Sequence, residues 1–281
     1  MTAHDTFTHD WDQWHLRHEQ RRADPHGFLA VTGLYWLGER AAGIPGLPGR
    51  WSTGGDGPVV ELADGESLEV AGVAVSGRHA FGPLAERGGE TVGFDGGVIE
   101  VARRGGRDIV RPRRSDAPFL AQYTGTPTYP ADARWRVEAR FVAFATPRPH
   151  EVGAAVDGLV HVYDAPGYLE FSFDGDTHRL VAFPGHGPDD LLVLFTDATS
   201  GVTTYAANRS ITVAAPDAEG RTTLDFTRAT NLPCAYTDFA TCPLPPAENR
   251  LPFAVEAGEK IPHARVAGEI TAAGIVAPRT A

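Results

Sequence analysis

What most constrains this chain is a succession of short apolar–polar alternations, broken by turn residues, with no helix-length period between them. The clearest is WRVEARFVAF, residues 135–144. Its period of two puts Trp135, Val137, Ala139, Phe141 and Ala143 on one face and Arg136, Glu138 and Arg140 on the other. VVELADGESLEV predicts a hairpin about Asp64 and Gly65, and LEFSFDGDTHRLVAF predicts another about Asp174 and Gly175. LLVLFTDATSGVTTYAANRSITV predicts two or three strands around a turn at Asp197 to Gly201. Strands follow strands without the helices that parallel pairing requires, so the sheets are expected to be antiparallel. The fold class expected is mainly β, an antiparallel sandwich or barrel-like sheets with a short N-terminal helix.

That helix is predicted over residues 9–22. Thr8 is placed to cap it, Asp10 suits the positive end of the dipole, and Arg17, Arg21 and Arg22 suit the other end before Pro25. Trp11, Trp14 and His18 form one aromatic face, which reads as core. The following GFLAVTGLYWLGER is apolar, holds two glycines within its first seven residues and lacks a helical period. It is expected to enter the core extended, with Gly33, Leu34, Tyr35 and Trp36 either packed there or near a pocket. The resulting division is a helix at 1–24, a β-rich region at 25–118, a second at 119–267, and a weakly patterned tail at 268–281 expected to fray.

Charge and motif absences narrow the function. The net charge of -11 argues against sequence-independent nucleic-acid binding, which works by matching phosphates with Lys and Arg. The one basic run, Arg103, Arg104, Arg107, Arg111, Arg113 and Arg114, is broken by Gly105, Gly106, Asp108 and Pro112 and is expected to be a solvated hairpin. No run is long enough to span a bilayer, and the opening residues lack a basic head followed by an apolar stretch, so a cytoplasmic protein with no membrane partner is expected. Phosphate-loop, dinucleotide, metalloprotease and nucleophile-elbow motifs are absent. The two cysteines, Cys234 and Cys242, are spaced too widely for a zinc ribbon and read as free thiols. Among the eleven histidines, His15, His18, His161 and His186 show no metal-ligand spacing. No metal ligand is assigned, though a site assembled by the fold stays open. Cofactors and oligomeric state are unknown at this point.

The unusual segment is LDFTRATNLPCAYTDFATCPLPPAENRLPFAVEAGEK, residues 224–260. Asp225, Arg228, Asn231, Glu248, Asn249 and Glu259 supply charge and amides, while Pro233, Pro243, Pro245, Pro246 and Pro252 stiffen the backbone. A rigid loop loses less entropy on holding a ligand, and an arginine on it can grip a carboxylate or phosphate bidentately. The alternative is that Arg228 and Arg250 pair with Asp225 and Glu248 to hold the loop in place.

DFTRATNLPCA, ATCPLPPAENRLP and AGEK resemble the bacterial family known only as domain of unknown function number sixteen eighty-four. FTDATSGVTTYAANR and HGFLAVTGLYWLGE resemble further segments of the same family. Thr227 stands where the family has Asn, and Asn208 stands where a small residue or Cys is expected. The resemblance implies no reaction, but it marks Asp197, Thr199, Thr204, Tyr205, Arg209, Asp225, Arg228, Cys234, Cys242, Asn249 and Glu259 as signature positions.

Together these readings point to a small-molecule site for a polar or anionic metabolite. Its ligand-binding residues are expected to be Tyr205, Arg209, Arg228, Asn231 and Asn249, with Arg209 and Arg228 facing one anion. If the protein is an enzyme, Asp225 or Glu259 would do acid–base work while an arginine stabilises developing charge, with Cys234 as the alternative nucleophile. The competing readings are a noncatalytic ligand-binding barrel and a structural or interaction module.

Overall fold

The computed structural model describes residues 3–185, 187–271 and 274–276. His186 and the tail residues 272–273 and 277–281 of the sequence reading lie outside these. The architecture is mainly β, its paired strands run antiparallel, and none of its sheets closes into a barrel among the described residues. No helix among them is long and apolar enough to cross a membrane.

The chain forms two compact units. One comprises Met1–Glu19, Thr124–Tyr236 and Cys242–Ala264. Its seven-stranded sheet runs, edge to edge, Arg221–Asp225, Arg136–Gly153, Val160–Phe173, Asp176–Pro184, Leu191–Phe195, Arg209–Val213 and Thr230–Asn231. The long strand contains most of the alternation read from sequence: Val137, Ala139 and Phe141 face the core, Trp135 reaches it from the short turn just before the strand, and Ala143, expected on the same face, is exposed. The hairpin at Asp174–Gly175 is also present. Phe173 pairs with Asp176, and both turn residues have positive φ, 50° and 90°, which is why Asp-Gly suits the site. One sheet face packs Leu169, Phe171, Val193, Phe195 and Ile211 against Trp135, Phe226, Leu251 and Val255. Each such side chain fully buried contributes roughly 1.5–3 kcal/mol. Phe226, Leu251 and Val255 belong to the Pro-rich segment, so that segment is a lid on the core rather than a surface loop.

The other unit comprises Gln20–Tyr123, Thr237–Thr241 and Arg265–Ala281. It is a sandwich of an eight-stranded and a four-stranded sheet, whose facing sides share a core of Trp51, Val60, Leu68, Ile99, Val101 and Val110. Three expectations are corrected here and in the helix. The turn at Asp64–Gly65 exists, but Gly57–Glu61 and Leu68–Val70 lie in different sheets, so it passes the chain between layers and closes no hairpin. The tail residues Glu269–Thr271 and Gly274–Val276 are paired, the second against Gly33–Trp36, because Ile275 buries its side chain. The helix runs Ala3–Arg22, with Asp5 in its first turn, so Thr8 lies inside it and cannot cap.

The basic run does form a hairpin, Gly97–Arg104 with Arg107–Arg114, but it is not simply solvated. Arg104, Arg111 and Arg113 converge on buried Glu100, Arg104 at 2.9 Å and Arg111 at 2.6 Å. Burial pushes the Glu100 carboxyl upward, yet Arg111 and Arg113, by charge and hydrogen bonds, outweigh it and hold the group down at about 2.

Candidate functional site

The N-terminal helix turns Phe7, Thr8, Trp11, Trp14, His15, His18 and Glu19 away from full solvent exposure, the spacing of one helical face. Trp11 anchors it by donating its indole N–H to the Thr227 carbonyl at 2.9 Å. His15 stacks on Trp11 with ring centroids 4.8 Å apart, and His18 stacks on Trp14 at 5.2 Å. The inward face thus alternates aromatic rings with ionisable groups, an arrangement that plain core packing does not need.

Glu259 meets this face from the Pro-rich segment. Gly258, at φ +72°, lets the chain turn tightly there: a Cβ would lie 2.5 Å from the Ala229 carbonyl oxygen. The Glu259 side chain is buried, and its Oε2 accepts the Asn231 backbone N–H at 2.7 Å and the Tyr236 hydroxyl at 3.4 Å. Its Oε1 lies 3.3 Å from His18 Nε2. Tyr236 shares a 2.8 Å hydrogen bond with the Thr126 hydroxyl, and the Thr126 N–H donates to Glu19 Oε2 at 3.3 Å. A polar chain therefore runs Glu19, Thr126, Tyr236, Glu259, His18. His18 is its outlet, with its side chain 21% exposed against 2% for that of Glu259.

Asn231 and Arg209 sit beside it. Asn231 donates its amide to the Lys260 carbonyl at 2.8 Å. Arg209 is 1% exposed and bonds Asp197 at 2.8 Å, together with the carbonyls of Val255, Ala257 and Glu259. Burial pushes its guanidinium pKa down and the Asp197 charge works against that. Asp197 is saturated in turn, since Oδ1 accepts from Thr199 N, Thr199 Oγ1 and Val255 N. Arg209 thus fastens the strand that bears it to the stretch ending at Glu259, and its charge is already matched.

Arg228 is placed otherwise. Its side chain is 41% exposed, its Nε lies 3.5 Å from Asp225, and its guanidinium carbon sits 5.4 Å from the Trp14 ring centre. Asp225 also caps its own turn, accepting from Thr227 N and Oγ1 at 3.1 and 2.5 Å. Each arginine therefore has a carboxylate partner of its own. Tyr205 donates to the Cys234 carbonyl at 2.8 Å. The hydrogen bond with Cys242, followed by burial, pushes the Cys234 thiol well up, away from the thiolate a nucleophile needs. Asn249 is fully buried between two strands. Phe183 pairs with Leu192, and where the same register would pair Val181 with Leu194 the Asn249 amide intervenes, bonding both Val181 backbone groups and the Leu194 carbonyl.

Of the residues singled out from sequence, the fold brings Glu259, Asn231 and Arg209 together, sets Arg228 with Asp225 against Trp14, and places Tyr205 with Cys234. Asn249 pins the sheet. His18, Glu19, Thr126 and Tyr236 were missed as site residues. Their one sequence signal is the helical spacing of His15, His18 and Glu19 beside the two tryptophans.

Residues 121–260 match the family described as "Protein of unknown function (DUF1684)". The chain carries a DUF1684 domain. An uncharacterised protein of Haloarcula marismortui, with a solution NMR structure, is 34% identical over 50% of this chain and 78% of that one, with a TM-score of 0.42. No curated protein matches. The DUF1684 match takes in Thr126, Tyr236 and Glu259 but not the helix, so the polar chain draws His18 and Glu19 from outside it.

Proposed function

We propose that the helix-bearing unit is a site for a small polar or anionic molecule and that the His18–Glu259 pair moves a proton on it. The observation that carries this reading is the 3.3 Å approach of a partly exposed imidazole to a buried carboxylate whose other oxygen is held by a backbone N–H and a tyrosine. Such a carboxylate fixes the ring, and the ring reaches solvent, which is the arrangement general acid–base chemistry uses. Trp14, stacked on His18 and flanked by Arg228, offers an aromatic surface with a cation beside it, suited to an anionic group. In this reading His18 exchanges the proton while Glu259 orients it and balances its charge, Arg228 is the ligand contact, and Arg209 acts through the backbone it holds. The net charge of -11 favours a small ligand over nucleic acid, and a cytoplasmic setting is consistent with two buried free thiols.

A thermal-shift screen of small carboxylates and phosphate esters tests this. A compound that raises Tm in the parent, with the shift lost in both His18→Gln and Arg228→Ala, is the expected result. A shift that survives both substitutions, or no shift from either ligand class, overturns the reading.

A further inference from the structure

We infer that the same cluster is a divalent-cation site, with His18, Glu19 and Glu259 as ligands. The inference rests on the reading above for the site and its anionic ligand, and the ion would take the place of the proton between His18 and Glu259 and face that ligand.

The geometry supports it first. One ligand atom from each of His18, Glu19 and Glu259 lies within 4.8 Å of the others, a span over which a single ion can gather them. Residues 15, 18 and 19 are spaced i, i+3 and i+4, so one helix face presents them together. Glu259 comes to that face held by Gly258.

The anchoring supports it second. Each carboxylate has one oxygen fixed by the protein: Glu259 Oε2 by Asn231 N–H and Tyr236, and Glu19 Oε2 by Thr126 N–H. Ligand carboxylates and imidazoles are commonly oriented by such outer hydrogen bonds. Two carboxylates this close, one of them buried, repel each other, and a cation between them offsets that repulsion directly.

A third observation is independent of the trio. His15 Nε2 is a buried atom with no hydrogen-bond partner among the described residues, and it lies 3.9 Å from Glu19 Oε1. That nitrogen stands at the rim of the cluster, beside one of its carboxylates. One imidazole and two carboxylates form a mixed nitrogen and oxygen set, which suits Zn2+, Fe2+ or Mn2+ better than Mg2+ or Ca2+, whose sites are built from oxygen. The sequence did not announce this site because its ligands come from opposite ends of the chain.

The experiment uses the full chain, stripped with chelator and then titrated with Zn2+, Mn2+ and Mg2+ by calorimetry, with Co2+ as the spectroscopic probe. The expected result is one equivalent of Zn2+ or Mn2+, Mg2+ at least tenfold weaker, and visible Co2+ bands that shift or vanish in His18→Gln. Affinity should fall at least tenfold in His18→Gln and in Glu259→Gln, each checked by circular dichroism for an intact fold. If Glu259→Gln fails to fold, His18→Gln and Glu19→Gln decide, both being partly exposed positions. Absence of binding, or binding unchanged in these variants, overturns the ion. A ligand-induced Tm shift in a protein that binds none of these ions would overturn it while leaving the small-molecule reading in place. One-to-one Zn2+ binding lost in His18→Gln, with no shift from any carboxylate or phosphate ester, would support the ion and remove that reading.

Discussion

The two units treat charge in opposite ways. In the helix-bearing unit, Arg209 and Asp197 are sealed from water at side-chain exposures of 1% and 0%. In the sandwich unit, Glu100 collects three arginines whose side chains keep 13–23% exposure. The sealed pair is fully hydrogen-bonded around Asp197 and leaves no spare charge, so it acts as a fastener. The open cluster sets three guanidiniums that water can reach around one carboxylate, so it responds to the medium. Function is better sought near the first kind of region only where, as at His18, a buried network surfaces.

The largest test of this contrast removes one member of the sealed pair. Arg209→Met strands the Asp197 carboxylate, and breaking a buried pair in this way costs about 3–5 kcal/mol. Urea denaturation followed by tryptophan fluorescence measures it. A loss smaller than that from Glu100→Gln would break the comparison.

Next comes Glu100 itself. Its folded pKa, about 2, lies below the ordinary 4.5, so it adds stability that is fully present above pH 4.5 and is lost as pH falls toward 2. The contribution is on the order of 3 kcal/mol at neutral pH. Glu100→Gln should flatten that part of the acid-denaturation curve. An unchanged curve would show that the arginines do not hold the carboxylate down.

Trp11→Phe should cost less, about 1–3 kcal/mol, because it leaves the Thr227 carbonyl without its buried donor. Arg228→Ala should cost least, under about 1 kcal/mol, as its ion pair is half open to solvent. A loss of several kcal/mol at Arg228 would make it a second fastener and take away its place as a ligand contact. Iodoacetamide should leave Cys234 and Cys242 unmodified in the folded protein, by mass spectrometry, since both are buried.

The strands were legible in the sequence wherever one face was apolar, as in residues 135–144, and wherever a turn demanded positive φ, as at Asp174–Gly175. The Asp64–Gly65 hairpin was misplaced because a turn signal cannot say which sheet the next strand joins. The site was legible in one half. Family resemblance pointed to Glu259 and Arg209, and the charged, amide-bearing composition of residues 224–260 to Asn231, but helical spacing placed His18 with Trp11 and Trp14 and so read it as core, and it gave nothing for Glu19, because the helix face they share is ionisable as well as aromatic. Arg209 and Arg228 looked alike in sequence. Only burial separates the pin from the rim.

The Trp11 indole and the carbonyl it binds are separated by 216 residues, and at synthesis rates of about 5–20 residues per second that gap is roughly ten to forty seconds. For that interval the segment that receives Trp11 in the folded chain is still to be made. Contacts of such long range are also the slowest to form once the chain is complete. During translation the site's own aromatic face therefore waits for its counterpart until the last turn of the Pro-rich segment delivers Glu259.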